Sequence, residues 1–272
     1  MCQLLGLNSN QPTDICFSFT GFKARGGVTD HHVDGWGIAF FEGRGVRILH
    51  DHEPSCRSAL AELVSAHPIP ATNIIGHIRK ATRGEVSLEN THPFHRELWE
   101  RHWVFAHNGT LDNFEPTLTG RFLPVGKTDS ELAFCWLMQG LHDAFGEDAP
   151  DRQSLFEFLR QASIAITGHG PFNFLLSNGE LLFAHCSTRL SYLIRKPPYG
   201  AAHLIDSDLT MDFAATKNDE SCSIVIATMP LTDNEQWTAM PVGSLWCFAD
   251  GKALAKASTI SGCCASENSV SF

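Results

Sequence analysis

Cysteine is the second residue of this chain, and it stands directly before Gln3–Leu7, a short apolar segment typical of a β-strand. A side chain as small as that of cysteine allows the initiator methionine to be removed, which would leave a thiol and a free α-amine on the same carbon. The amine titrates near about 7.7–8.0 and the thiol near about 8.5, so the amine can activate the thiol as a nucleophile. The alternative is a structural cysteine, because free cysteine packs as a small hydrophobic residue. Both interpretations tie the start of the chain to a core strand.

The bulk composition indicates one large globular domain. Of the 272 residues, 43% are hydrophobic and 18% are charged. The formal charge is −10, and no run of lysine or arginine offers the basic face that nucleic acid requires. No apolar stretch reaches the roughly 18 residues of a membrane helix, and the start of the chain lacks a signal-peptide pattern. The nine cysteines form no CxxC pair. We expect a cytoplasmic protein with reduced thiols that binds neither nucleic acid nor membranes.

Apolar runs alternate with helix-like segments in the first half of the chain, and the second half is richer in strands. Helical spacing predicts helices over 14–23, 55–66, 129–145 and 155–166, with Ser55 as the N-cap of the second. Asn178-Gly179 predicts a hairpin turn. We expect one mixed domain over residues 2–258 and a flexible polar tail over 259–272. Strands are predicted over 3–7, 36–41, 46–50, 73–78, 103–107, 173–176, 181–185, 192–195, 223–228 and 244–249.

Four short motifs follow Cys2 at points where strands or helices begin or end. Each has an ordinary structural interpretation: Arg79 as a surface charge, Asn108-Gly109 as a turn, and Asp129 as a helix N-cap. Together with an N-terminal cysteine, and in this order, they indicate one functional constellation. The motifs are Asp34–Gly37 before a strand, Gly76–Gly84 and Ala106–Thr110 at strand ends, and Lys127–Glu131 at the start of the long helix.

The set resembles the class II glutamine amidotransferases, whose nucleophile is an N-terminal cysteine. In that family the cysteine is followed by a strand ending in a G-H-x-R-x-A-T-x-G turn, an H-P segment, an H-N-G triplet and T-D-x-E on a helix. This chain has them at Gly76–Gly84, His92-Pro93, His107–Gly109 and Thr128–Glu131. The resemblance implies an α+β fold, the four-layer αββα sandwich of N-terminal-nucleophile hydrolases, and no cofactor.

The resemblance also implies a reaction. The Cys2 thiolate attacks the γ-amide, and the Asn108 side chain and the Gly109 N–H stabilise the resulting oxyanion. A thioester forms while ammonia or an amine leaves, and water then releases glutamate.

Substrate recognition is implied in the same way. Arg79 suits the α-carboxylate because its guanidinium donates two parallel hydrogen bonds, and Thr82 and Arg83 complete this clamp. Asp129 holds the α-ammonium, helped by the Gly109 carbonyl. Four further residues are expected to shape the pocket: His92, Asp34, Gly35 and Trp36.

Two departures from better-known members of the family narrow the expected branch and reaction. Arg83 stands where some of them have histidine, and Asp34–Gly37 resembles the stand-alone branch of the family. No synthase or acceptor domain is expected after the amidotransferase-like part. That branch includes enzymes that hydrolyse γ-glutamyl amides other than glutamine, as in glutathione breakdown and ergothioneine formation. We therefore expect a glutaminase or γ-glutamyl amidohydrolase with a small-molecule substrate, and a separate acceptor or synthase subunit is the protein partner that the resemblance allows.

Two other classes of function stay open at this level. His31-His32 with Asp34, and His50-Asp51-His52, have the residue types of a zinc site and allow a metal-dependent hydrolase. A non-catalytic subunit that retains the fold is the second alternative, although the complete set of motifs argues against loss of the reaction. The preferred interpretation assigns no metal site.

Overall fold

Two seven-stranded sheets pack face to face in the computed structural model, which describes residues 2–82 and 84–260 and the backbone of 269–270. The helices are α1 (Cys16–Ala24), α2 (Ala59–Ala66), α3 (Asp129–Phe145) and α4 (Arg152–Thr167). The strands are β1 (Gln3–Thr13), β2 (Trp36–Glu42), β3 (Gly45–Asp51), β4 (Ala71–Ile78), β5 (Phe94–Leu98), β6 (Arg101–Gly109), β7 (Phe172–Ser177), β8 (Leu182–Cys186), β9 (Ser191–Arg195), β10 (Ala201–His203), β11 (Thr210–Asp212), β12 (Ser223–Ala227), β13 (Thr238–Ala239), β14 (Ser244–Ala249), β15 (Lys252–Ser258) and β16 (Ser269–Val270).

The first sheet has the strand order β13-β9-β12-β1-β4-β2-β3, and the second has the order β16-β15-β14-β8-β7-β6-β5. Strands β10 and β11 form a separate two-stranded ribbon. β1 lies at the centre of the first sheet and pairs antiparallel with both β12 and β4. The segment that follows Cys2 is therefore a central strand with neighbours on both sides.

Alternating side chains of the strands divide the core into three apolar layers. Leu4 belongs to the layer between the two sheets, whereas its neighbour Leu5 points to the layer under α1, together with Phe19 and Phe22. A third layer packs α3 and α4 against the outer face of the second sheet. The order helices, sheet, sheet, helices is the predicted αββα sandwich, and each sheet is buried on both faces, which explains the nearly continuous apolar strands.

Side chains cap three of the four α-helices formed by the described residues. Thr128 accepts the Glu131 N–H at 3.1 Å at the start of α3, and Asp151 accepts the Ser154 N–H at 2.9 Å at the start of α4. The prediction of Ser55 as the cap of the second helix was wrong. α2 begins at Ala59 with Ser58 as its cap, because the Ser55 hydroxyl donates to the Lys23 carbonyl at 2.7 Å instead.

Several strands were not predicted from the sequence, and β1 is longer than predicted. β5 consists largely of charged and polar residues, and β10, β11 and β13 have only two or three residues each. β1 continues to Thr13 because polar side chains pair across the strands, as Asn8 does with Asn73 at 2.9 Å. Hydrophobic periodicity carries little signal for such segments.

The predicted tail begins at Thr259, which is buried and has its Oγ1 2.9 Å from Nε2 of His185. The backbone of 269–270 pairs with β15. The rest of that segment, including Cys263 and Cys264, lies outside the described residues. Within the described part of the chain, no helix is long and apolar enough to cross a membrane.

Candidate active site

Cys2 lies at the end of the first sheet, where β1 begins and β4 ends. The pairing of Gln3 with Ile78 brings Cys2 beside Arg79, the residue after β4. The Cys2 Sγ atom accepts the Lys80 N–H at 3.3 Å and lies 3.5 Å from the Lys80 carbonyl oxygen. The backbone after β4 thus holds the thiol in place.

The surroundings of Cys2 keep its thiol protonated. Burial raises the pKa of Cys2 above its ordinary value, and the Asp129 carboxylate acts in the same direction. The Lys80 N–H and the Arg79 charge lower this pKa without offsetting burial. A thiol with a raised pKa needs a nearby base to become a nucleophile. Met1, whose removal would expose such a base, lies outside the described residues.

Arg79 is buried, with 3% of its surface exposed, so it is not the surface charge that a structural interpretation would make it. Its N–H donates to the Gly35 carbonyl at 2.8 Å, which joins the ends of β4 and β2. Its guanidinium donates to the carbonyl oxygens of Glu85 at 2.9 Å and Gly84 at 3.3 Å. Burial lowers the pKa of Arg79, although Cys2 and Asp34 raise it in part.

The Asp34–Gly37 motif braces the turn that carries Arg79. The Asp34 carboxylate accepts the Ala81 N–H at 2.8 Å. Gly35 has a φ of +106°, and a Cβ there would lie 3.0 Å from the carbonyl oxygen of Asp51. Trp36 is fully buried in the apolar layer under α1. Two of these residues therefore support the turn, and Trp36 belongs to the core.

Asn108 and Gly109 end β6, in the sheet opposite Cys2. Asn108 is buried, and its Nδ2 lies 3.5 Å from the Thr228 Oγ1. The same oxygen accepts the Leu4 N–H at 2.9 Å, so Thr228 connects β6 with the strand that carries Cys2. A Cβ on Gly109 would lie 1.7 Å from the carbonyl oxygen of Pro171, which leaves room only for glycine.

Two buried histidines lie close to Asn108, and the His77 ring joins the two sheets whereas the His107 ring joins the second sheet to α3. His77 Nε2 lies 3.1 Å from the His107 carbonyl oxygen, and His107 Nδ1 lies 2.8 Å from the Ser130 Oγ. Burial lowers the pKa of His77 to about 3. Burial also lowers the pKa of His107, with Asp129 opposing the shift. Both rings are therefore neutral at pH 7. Ser130, which contacts the His107 ring, was not singled out by the sequence analysis.

His92 lies directly against this pair. Its ring centroid is 4.2 Å from that of His77 and 4.4 Å from that of Phe94. Burial lowers the pKa of His92 well below its ordinary value. The ring is therefore neutral and fills space beside the end of β4.

The Thr128–Glu131 motif starts α3, and each residue has a different role. Thr128, not Asp129, is the N-cap, so the ordinary interpretation of Asp129 is excluded. The Asp129 carboxylate accepts the Leu111 N–H at 2.6 Å, just beyond Gly109. Glu131 accepts the Gly126 N–H at 2.7 Å and holds the approach to the helix.

The turn after β4 reaches the segment after β6. Thr82 is exposed, and its Oγ1 lies 3.1 Å from the Oγ1 of Thr110. Arg83, predicted to assist Arg79, lies outside the described residues. The structure thus brings Cys2, Arg79, Thr82, Asn108, Gly109 and Asp129 to one end of the sandwich.

Asn90 is a buried side chain that the sequence analysis missed. It donates from Nδ2 to the Glu85 carbonyl at 3.1 Å and accepts the Lys127 N–H with Oδ1 at 2.8 Å. The Glu85 carbonyl also accepts from Arg79, so Asn90 links the Arg79 turn to the approach to Asp129. Its position two residues before His92-Pro93 was the only available signal.

The histidine clusters considered for zinc have other partners. His32 Nδ1 lies 3.0 Å from an Asp30 carboxylate oxygen, and His50 Nε2 lies 2.9 Å from the Pro93 carbonyl oxygen. His52 is exposed. Over residues 2–82 and 84–260, no three His, Cys, Asp or Glu side chains converge as a metal site would require.

Two cavities differ in their relation to this end of the molecule. One of about 330 Å³ is lined by Asp129, Lys127 and Phe114. Another of about 490 Å³ lies against β9 beside Arg195, which strand register places at the opposite end of the first sheet from Cys2. The smaller cavity adjoins the predicted site.

Comparisons with known proteins agree with one another. The family model described as "Glutamine amidotransferases class-II" matches residues 1–269. A Haemophilus influenzae protein named "Putative glutamine amidotransferase" is 50% identical over 257 residues, covering 94% of this chain and 87% of the relative. The crystal structure of a "predicted glutamine amidotransferase" from Pseudomonas aeruginosa has a TM-score of 0.75 at 44% identity, covering 93% of this chain and 100% of that chain. Glutamine phosphoribosylpyrophosphate amidotransferase of B. subtilis shares the fold, with a TM-score of 0.59 at 14% identity over 96% of this chain and 50% of that chain.

Proposed function

We propose that this chain, which belongs to the class II glutamine amidotransferases, uses Cys2 as a nucleophile. Its proposed reaction is hydrolysis of the γ-amide of glutamine or of a γ-glutamyl compound. The observation that carries the proposal is the position of the Cys2 thiol. It accepts the Lys80 N–H at 3.3 Å, beside the buried Arg79 and at the same end of the sandwich as Asn108. This combines a nucleophile, a fixed positive charge and an amide donor.

The first step needs a base, because burial raises the pKa of the Cys2 thiol. Once Met1 is removed, the α-amine of Cys2 takes the thiol proton, directly or through one water. The sulfur attacks the carbonyl carbon of the γ-amide, and the ammonium returns its proton to the leaving nitrogen as the C–N bond breaks. Water then attacks the thioester, which releases glutamate and restores the thiol.

Asn108 and Gly109 are the proposed donors to the oxyanion. The buried Asn108 amide and the Gly109 N–H at the end of β6 support this assignment. Loss of one such donor typically raises the barrier by about 3–4 kcal/mol, because a preorganised dipole in a water-poor site needs no reorganisation.

Arg79 and Asp129 are the proposed partners of the α-carboxylate and the α-ammonium. A guanidinium suits the α-carboxylate because its planar fork donates two parallel hydrogen bonds, and Arg79 is buried and lies beside Cys2. The Asp129 carboxylate retains acceptor sites beside its contact with Leu111. Thr82 and Arg83 are assigned to the carboxylate clamp, and His92, Asp34 and Gly35 to the shape of the pocket, which Trp36 supports from the apolar layer under α1.

The finer parts of the proposal concern the substrate and its context. Membership of the family supports glutamine as substrate, and the resemblance of Asp34–Gly37 to the stand-alone branch extends the proposal to other γ-glutamyl compounds. An acceptor or synthase subunit that receives the ammonia is compatible with the same chemistry. A reducing, cytoplasmic location would preserve the Cys2 thiol. We keep residues 2–258 as the proposed catalytic domain, with a tail over 259–272.

A screen of γ-glutamyl compounds for glutamate release tests the proposal. The wild-type protein should release glutamate from at least one of them, and Cys2→Ala should abolish release without changing the melting temperature. Cys263→Ala is the matched control and should remain active. Full activity of Cys2→Ala, or equal loss in Cys263→Ala, would show that the nucleophile is wrongly assigned. The metal content of the active protein tests the alternative of a metal-dependent hydrolase, because that enzyme would contain stoichiometric metal.

The mechanism also requires that active protein lacks Met1, because a peptide nitrogen has no useful basicity. The intact mass of active material should match the loss of one methionine. Full activity in protein that retains Met1 would contradict the role of the α-amine and leave Cys2 without its proposed base.

A further inference from the structure

Thr228 follows β12 and is hydrogen-bonded to the strand that carries Cys2. Its N–H donates to the Leu4 carbonyl at 3.1 Å, and its Oγ1 accepts the Leu4 N–H at 2.9 Å. Thr228 is 4% exposed, so water does not compete freely for this hydroxyl. The hydroxyl oxygen is therefore fixed beside Leu4, which is two residues from Cys2 along the chain.

The hydroxyl of Thr228 has one hydrogen to donate, because the contact with Leu4 uses a lone pair. Asn108 Nδ2 lies 3.5 Å from this oxygen, a long contact between two groups that can both donate. At the other end of the amide, Asn108 Oδ1 is buried and has no hydrogen-bond partner within the described part of the chain. A buried carbonyl oxygen without a donor is unfavourable.

One rearrangement gives a partner both to the hydrogen of the Thr228 hydroxyl and to Asn108 Oδ1, and it leaves Nδ2 as the end of the amide that can donate to a substrate. When the Asn108 amide is turned by 180°, the Thr228 hydroxyl donates to Oδ1, and Nδ2 takes the place of the unpartnered oxygen. The amide then offers its N–H hydrogens, rather than a carbonyl dipole that would repel an anion.

We propose that Thr228 is a positioning residue that donates its hydroxyl to Asn108 Oδ1 and thereby presents Asn108 Nδ2 to the oxyanion. The inference rests on the proposed function, in which Asn108 stabilises that oxyanion. Because the same hydroxyl oxygen also binds Leu4, Thr228 sets the position of the donor relative to the Cys2 strand.

The backbone at Asn108 is held independently of Thr228. Asn173 donates from Nδ2 to the Asn108 carbonyl at 2.9 Å, and β6 pairs with β7 through Asn108 and Asn173. Loss of the Thr228 hydroxyl should therefore change the orientation of the Asn108 side chain without moving its backbone. This separation makes the inference testable by kinetics.

The test compares Thr228→Val with Thr228→Ser, using the best substrate of the γ-glutamyl screen. Valine keeps the shape and removes the hydroxyl, so kcat should fall by roughly 10- to 100-fold while KM stays within about 2-fold. Serine restores the hydroxyl and should return kcat to within about 3-fold of wild type. If valine prevents folding, Thr228→Ala, which leaves space for water at the Leu4 N–H, should show the same loss of kcat.

Asn108→Ala separates failure of this inference from failure of the proposed function. If Asn108→Ala retains full kcat, the oxyanion assignment itself is wrong. If Asn108→Ala loses kcat and Thr228→Val does not, only the role of Thr228 is overturned. Thr228→Val should change kcat by less than about 2-fold when Asn108 is already alanine, since coupled residues are not additive. Multiplicative losses, or failure of serine to restore kcat, would also overturn the inference.

Thr232→Val is the matched control. Thr232 is equally buried, and its hydroxyl donates to Glu235 rather than to a residue of the site. Its removal should leave kcat unchanged, with melting temperatures measured for every variant. An equal loss of kcat in Thr232→Val would assign the effect to general destabilisation.

Discussion

At the residue scale, buried charged side chains and a close backbone contact lie at the ends of β4 and β6. Arg79 is a buried guanidinium that meets two backbone carbonyls, and Asp129 lies at the start of α3 beside the Leu111 N–H. Between them, Gly109 approaches Pro171 so closely that no side chain fits. Another residue type would lose the hydrogen bonds of Arg79 or Asp129, or would collide with Pro171 at position 109.

Arg79→Ala and Asp129→Ala should each lower kcat/KM by roughly two orders of magnitude, because loss of a charged partner in a desolvated pocket costs about 2–5 kcal/mol. An amide substrate without its α-amino group should not be cleaved by the wild-type protein. Arg101→Ala, which removes a partly exposed charge paired with Glu180, is the control and should have little effect. If the des-amino amide reacts as well as its parent, the recognition assignment is wrong.

Gly109→Ala should destabilise the protein by about 1–3 kcal/mol and abolish activity, because the new Cβ would displace Pro171 and the end of β6. Gly200→Ala is the matched control, since a Cβ there meets nothing within 4 Å. Denaturant unfolding measures the stability and glutamate release measures the activity. Equal stability of the two variants would show that the approach of Pro171 is not a constraint.

At the element scale, the start of α3 organises the candidate site. Thr128 caps the helix, Asp129 faces the end of β6, and Ser130 holds the His107 ring at 2.8 Å. Asn90 then joins the segment before α3 to the turn after β4. The two proposed recognition residues thus lie on separate elements, and the Asn90 side chain links the segments beside them.

Asn90→Ala should raise KM by roughly 10-fold with little change in kcat, because it loosens the spacing of Arg79 and Asp129 and leaves Cys2 untouched. Asn10→Ala is the matched control. The Asn10 side chain also makes two hydrogen bonds to backbone groups, those of Glu220 and Cys222, and it lies at the far end of the first sheet. A KM for Asn90→Ala equal to that of the control would contradict this role.

At the scale of the whole molecule, the sandwich buries a group of neutral histidines. Burial lowers the pKa of His77 to about 3 and that of His185 to about 4, and it lowers those of His92 and His107 as well. The unfolded chain therefore binds more protons than the folded protein below a pH of about 6.5. The contribution of these histidines to the free energy of unfolding is fully present above this pH and is lost as the pH falls.

Between pH 6.5 and 4.5 the free energy of unfolding should fall by up to roughly 1.4 kcal/mol per pH unit for each such histidine. His77→Gln, whose amide nitrogen can replace the ring Nε2 as donor to the His107 carbonyl, should reduce this slope by about one proton. His67→Gln changes an exposed histidine and should leave the slope unaltered. Urea titrations at several pH values measure the slope, and equal slopes for the two variants would contradict the prediction.

The sequence alone determined which residues stand at the ends of the elements that meet at this site. Cys2 before β1, Arg79 after β4 and Asp129 at the start of α3 follow from apolar runs and short local motifs, because each motif lies within a few residues of its strand or helix. The αββα sandwich was implied by the resemblance of these motifs to those of the class II glutamine amidotransferases.

Tertiary structure alone decided the contacts between polar residues that are far apart in the chain. Thr228 meets Leu4 across 224 positions, and Asn90 meets Lys127 across 37. A single threonine or asparagine has no periodicity and forms no motif with a partner so distant. Ser58 rather than Ser55 caps α2 for a similar reason, because the Lys23 carbonyl on another helix engages the Ser55 hydroxyl. Such hydrogen bonds depend on where folding brings the strands and helices together, and local sequence does not encode that position.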